Sequence, residues 1–253
     1  MPDLRLISAE VLKLRRRRGM LAIALLLTLG LVAIVFAVTG VQHASNPAKY
    51  EPAGGVHHYR DALGVLAMMA FVVGAIVGGT AGTQDVESGV FRDLAATGRS
   101  RLALFAARVA GAWTIVLPIL ATTMTALAIL ARAMADGTPT ADAATIVAGT
   151  AAVLVAGALS TAAAVGLSTL VGSRGPVIGM LLAFFLAIEP LLAQIGMLGN
   201  ARQALPGVAL DRIGHIPASG STQAALGTAI AVVIAWAVAT LGLGAWKTRT
   251  REI

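Results

Sequence analysis

The sequence predicts an all-α, polytopic membrane protein with six spanning helices, and three observations carry that prediction. Of its 253 residues, 57% are hydrophobic and only 12% are charged, too little polarity to clothe a water-facing surface. Six apolar stretches each reach the length of about 20 residues that a helix needs to cross a hydrocarbon core of about 30 Å. Lys and Arg gather in the short segments between those stretches rather than along one folded basic face.

The elements follow in chain order. In residues 1–19, Leu4, Ile7, Val11 and Leu14 fall on one narrow face at helical spacing while Arg5, Lys13 and Arg16 project from the other, the pattern of an amphipathic helix lying in the membrane interface. The spans are placed at residues 20–41, 62–82, 102–131, 143–171, 176–198 and 223–246. The first is longer than the apolar region of a secretory signal and is read as a retained helix. The third and fourth are long enough to tilt or protrude. Residues 42–61 carry Pro47, Pro52, Gly54 and Gly55, which read as turns. Residues 204–210 are moderately apolar and broken by Pro206 and Gly207, so this stretch either dips into the membrane or lies as an exposed loop. No polar stretch is long enough for a soluble domain, and residues 1–253 are read as one transmembrane domain.

Small residues dominate the apolar runs, with 28 Gly in the chain, and they let helices approach closely where lipid gives no hydrophobic drive between them. Gly74, Gly78 and Gly82 recur at four-residue spacing on the second span. Packing within one subunit and a seam between two subunits both fit that face.

Orientation follows from the basic residues. With the N-terminus inside, Arg5, Lys13, Arg15 to Arg18, Arg92, Arg99, Arg101, Arg108, Arg174, Lys247, Arg249 and Arg251 are cytoplasmic, while Lys49, Arg60, Arg132, Arg202 and Arg212 are outside. The excess recurs at every inner segment, so both termini are expected in the cytoplasm of a cell-membrane protein surrounded by lipid. The net charge of +7 is thereby explained without nucleic acid. The absence of Cys excludes thiol chemistry and Cys-ligated metals.

The inner stretch at residues 83–101 is the most informative. Val86, Val90 and Leu94 recur every four residues with Phe91 beside them, among Asp85, Glu87, Gly89 and Arg92. A short helix here shows an apolar edge among charges; Ser100 is placed to cap the helix that follows. By itself the pattern fits either a docking segment or a solvated loop. Taken with the basic leader, the small-residue second span, the run Asp85-Val86-Glu87-Ser88-Gly89, then Arg99-Ser100-Arg101 and Arg108, the chain resembles the permeases of ABC-2 type transporters. Gly98 stands near a position those permeases usually fill with Pro.

The resemblance implies a membrane subunit that pairs with a like subunit, as homodimer or heterodimer, and works with a separately encoded ATP-binding-cassette ATPase. It implies that the leader is an elbow helix and that Asp85, Val86, Glu87, Gly89, Val90, Phe91 and Leu94 dock on the ATPase. The chain's own residues agree. A Walker A loop needs Gly-Lys followed by Ser or Thr, whereas Lys13, Lys49 and Lys247 follow Leu12, Ala48 and Trp246. No cofactor is expected in this chain; ATP and Mg belong to the partner, and the chain itself is not expected to be an enzyme.

Among other candidates, Glu189 is the acidic residue well inside an apolar span, and Pro190 after it removes a backbone donor and locally breaks the fifth helix. Such a carboxyl faces protein or a water-filled space: it lines a translocation pathway, with Gln194 about one turn on, or it is a protonated or hydrogen-bonded structural group. Thr122, Thr123 and Thr125 read as bonded to their own helix. His43, His57 and His58 lack a spaced third ligand and read as solvated-loop residues. Ser219 and Ser221, near His215, lack a buried base and orienting group.

The leading expectation is an ATP-driven exporter permease for a hydrophobic or amphipathic compound. The alternative is a gradient-driven carrier with Glu189 as proton site, for which the spans offer no second ionisable core residue.

Overall fold

The computed structural model describes residues 4–87, 100–216 and 224–250. Among the described residues every regular element is helical. The leader forms α1 (Leu4–Arg15). Six helices are long and apolar enough to cross a membrane: α2 (Arg18–Ser45), α3 (Gly55–Glu87), α4 (Arg101–Ala133), α5 (Ala143–Val171), α6 (Arg174–Gln194) and, last, α8 (Leu226–Thr250). Between the fifth and sixth lie a 3-10 stretch, Gly196–Ala204, and a short helix α7, Pro206–Gly214.

Local chemistry fixes several ends. Ser100 Oγ accepts from the Ala103 N–H at 3.2 Å, and the Asp142 carboxylate accepts from the Thr145 N–H at 2.9 Å, each satisfying a donor that the first helical turn leaves open. Gly172, at φ +76°, closes α5 in the left-handed conformation that favours glycine.

Three sequence expectations need correction. The helix that carries the second span begins at Gly55, ahead of the span expected from residue 62, so His57 and His58 lie in the first turn of α3 rather than in a loop. The reason is tertiary: the Gly54 N–H donates to the Met134 carbonyl (2.9 Å) and the Val56 N–H to the Pro139 carbonyl (2.7 Å), so the α4–α5 connection takes up donors that would otherwise need water. The helix of the fifth span ends at Gln194, short of residue 198, because Ile195 turns extended. Pro206 does not break a segment; it occupies the first position of α7, where a missing N–H costs nothing.

The core is a seam between α3 and α5. A Cβ on Gly74 would stand 2.7 Å from the Gly157 carbonyl oxygen, one on Gly78 2.5 Å from that of Thr161, and one on Gly82 2.5 Å from the Ser168 Cβ. The two backbones are therefore in direct contact, and Ser160 Oγ donates to the Phe71 carbonyl across them at 2.6 Å. Trp113 Nε1 ties α4 to the same helix through the Ala158 carbonyl at 3.0 Å. The leader α1 crosses α4, burying Glu10 and Leu14; Gly111 leaves the room, since a Cβ there would stand 2.6 Å from the Glu10 Cβ. By contrast, α2 and α8 leave many apolar side chains uncovered, Val41 and Val238 among them.

Candidate functional site

The connections after α2, α4 and α6 lie at one end of the bundle, and the candidate site is just inside that end. It begins with a defect in α6. Pro190 has no N–H to give and its ring crowds the carbonyl one turn earlier. The helix answers with a π-helical turn at Phe184–Ile188 and then continues to Gln194, so the expected local break is a widened turn instead. This places Glu189 inward, with 5% of its surface exposed.

Glu189 Oε1 accepts a hydrogen bond from the N–H of Gly207, 18 residues on. Gly207 is the second residue of α7, which has no side-chain cap of its own. Glu189 thus caps a helix to which it does not belong, offering a carboxyl oxygen to an open N–H at the positive end of the helix dipole. A Cβ at position 207 would lie 2.9 Å from that oxygen, so a larger residue there would push the carboxyl off the N–H.

Four residues further along α7, on the same face, stands Asp211. Burial pushes its carboxyl up to about 6. Glu189 and Asp211 both line a cavity of about 300 Å³ whose wall is otherwise largely apolar: Gly64, Ala67, Met68 and Phe71 from α3, Phe185, Pro190 and Ala193 from α6, and Val208, Leu210 and Ile216 from α7 and just beyond it. Phe71 and Phe185 stack with ring centroids 4.1 Å apart. Gln194 joins the same wall, so the two residues singled out in the fifth span do share one space. Asp211 was missed: in sequence it sits in a short polar-looking connection. The available signal was its four-residue spacing from Gly207 behind a Pro that starts a helix.

The linkage for Asp211 has a definite sign. An aspartate raised above its unfolded value near 3.9 binds its proton more tightly in the fold, so it adds stability below about pH 4, which is lost as pH rises through about 6. Asp211→Asn should therefore raise the melting temperature at pH 8, by a free energy of at most about 3 kcal/mol, with the gain gone at pH 4. A gain that does not change with pH would show that the carboxyl is solvated.

The other candidates divide clearly. Asp85, Val86 and Glu87 close the last turn of α3, with side chains outside the description; Gly89, Val90, Phe91 and Leu94 lie outside the described residues, as do Ser219 and Ser221. Thr123 and Thr125 donate to carbonyls of their own helix at 2.9 Å. Glu51 supplies the third group that His57 and His58 lack in sequence, the three ligand atoms lying within 4.8 Å of one another, and Asp61 lies 3.2 Å from His57 Nδ1. Glu51 and His57 are exposed, so water competes for any cation there. Arg108, read from sequence as a marker of orientation, is buried at 3% exposure.

Residues 6–189 match the model of a family described as ABC-2 family transporter protein. No curated protein matches the chain. The family match runs from the leader to Glu189 and leaves α7 and α8 beyond it.

Proposed function

The chain belongs to the ABC-2 family of transporter proteins, and from that premise we propose that it exports a hydrophobic or amphipathic compound with energy from a separate ATP-binding subunit. A permease of this family is a membrane-spanning subunit that works with an ATP-binding partner. ATP and Mg act in that partner. The observation that carries the cargo side of the proposal is the cavity beside Glu189: an apolar, aromatic-walled space with few polar groups suits a compound that partitions into membranes.

The basic residues support cytoplasmic termini in the cell membrane. In that orientation the cavity lies toward the outer face and residues 83–101 lie inside, within reach of the ATPase. Asp85, Val86, Glu87, Gly89, Val90, Phe91 and Leu94 form the docking edge, and pairing with a second permease, identical or related, covers the exposed flanks. Closure of the ATPases moves this edge, and α3 carries the movement to the wall of the cavity. Glu189 and Gln194 line the path.

The gradient-driven carrier is the second reading, and Asp211 gives it the second carboxylate that the spans lack in sequence. The test separates them. Burying Phe91 at full contact contributes roughly 1.5 to 3 kcal/mol, so Phe91→Ala should lower the ATPase recovered with the permease by roughly 10-fold or more, and Glu87→Lys should leave complexes assembled but uncoupled. The readouts are ATPase per permease and cargo-stimulated hydrolysis. Normal values in both variants would make this segment a solvated connection, and transport driven by a proton gradient without any ATPase would favour the carrier.

A further inference from the structure

We propose that the Glu189 cavity selects cargo bearing one positive charge on an apolar body, an amphipathic organic cation; this rests on the permease reading and names its substrate class. Two carboxylates face one space, and no Lys, Arg or His is among the residues lining it. Two arginines near its lining residues in sequence donate to backbone carbonyls: Arg212 Nε to that of Ala224 at 2.8 Å, and Arg202 to those of Gly199 and Ala193 at 3.1 and 3.3 Å. Negative charge held away from water without a partner is costly, and a cation entering the cavity relieves that cost.

The two acids are not equivalent. Glu189 is partly satisfied by the Gly207 N–H and by the positive end of α7. Asp211 has no such donor among the described residues, and it is the main counter-charge. One unsatisfied carboxylate matches one positive charge. The remainder of the wall matches the body of the cargo: Phe71, Phe185 and Met68 offer polarisable surface, and aromatic rings attract quaternary ammonium groups through their π faces. An anion would meet two acids and no basic side chain among the described residues of this wall. At about 300 Å³, the space is at the lower end of the range for small-molecule sites.

Three probes of similar bulk separate charge from shape: benzyltrimethylammonium, its neutral carbon isostere neopentylbenzene, and benzenesulfonate. Each is titrated by equilibrium dialysis against the full chain in lipid nanodiscs. The cation should bind roughly 10-fold or more tighter than the neutral isostere, and the anion should not bind. Asp211→Asn should weaken the cation by roughly 10-fold and leave the isostere unchanged. Glu189→Gln, which keeps an acceptor for Gly207, should weaken it less. Equal binding of cation and isostere, cation affinity unchanged in Asp211→Asn, or no cation binding would each overturn the proposal, and the first and third are read on the unmodified chain, whatever the folding of the variants. Binding needs neither ATP nor the ATPase. Failure here leaves the permease reading intact, whereas loss of that reading would appear in the copurification experiment instead.

Discussion

Replacing Gly78 with Leu is expected to prevent the bundle from closing. A single Cβ at that position would stand 2.5 Å from the Thr161 carbonyl oxygen, 2.9 Å from the Ala164 Cβ and 3.0 Å from the Thr161 Cα. Two of these three are backbone atoms of a helix and cannot swing aside. α3 and α5 must separate, and separation also breaks the Ser160 to Phe71 hydrogen bond. Lipid tails are as apolar as the side chains they would replace, so packing lost at this seam is not recovered by hydrophobic burial elsewhere. Overpacking of a tight core costs about 1 to 3 kcal/mol for modest insertions, and a whole Leu side chain against backbone should reach or exceed the upper figure. The measurement is the thermal melt and size-exclusion profile in detergent. Gly179→Ala is the control, since nothing lies within 4 Å of a Cβ there. A Gly78→Leu protein that melts like its parent but no longer pairs with a second subunit would move this glycine face from the core of one chain to a seam between two.

The glycine case marks what the sequence makes legible. The four-residue spacing of Gly74, Gly78 and Gly82 shows that another helix comes close, but every long helix is a candidate and the pattern does not say which. The six spans are legible because length and hydropathy alone decide them. Their ends are not, because an end is set by who accepts the last hydrogen bonds. Gly55 could start α3 only once the Met134 and Pro139 carbonyls were in place, and those come from a connection about 80 residues away. Pro206 shows the same limit: Pro signals a stop inside a helix and a start at its first turn, and only the local backbone distinguishes the two. Glu189 stands out in sequence as an acid in an apolar run. Its partner Gly207 and its neighbour Asp211 do not, because a backbone N–H has no sequence signature and an aspartate beside Arg212 reads as loop polarity.

Glu189→Leu and Glu189→Gln should have sharply different consequences if this residue both caps α7 and faces cargo. Leu fills a comparable volume but accepts no hydrogen bond. It would leave the part-buried Gly207 N–H without its acceptor, at a cost of at most about 1 to 3 kcal/mol, and would remove the acceptor at the positive end of α7. The expected result is faster amide exchange at Gly207 to Leu210 and a lower melting temperature. Gln keeps an oxygen where Oε1 stands and loses only the charge. Its stability should therefore stay close to that of the parent while transport falls, because the cavity has lost one of its two carboxylates. Stability and transport are thus separable at one position. Equal melting of the two variants would show that the contact with Gly207 does not hold α7 in place. Transport by Glu189→Gln at the parental rate, with the parental pH dependence, would confine Glu189 to a structural part and leave Asp211 as the only acid in the cavity with a claim on the cargo.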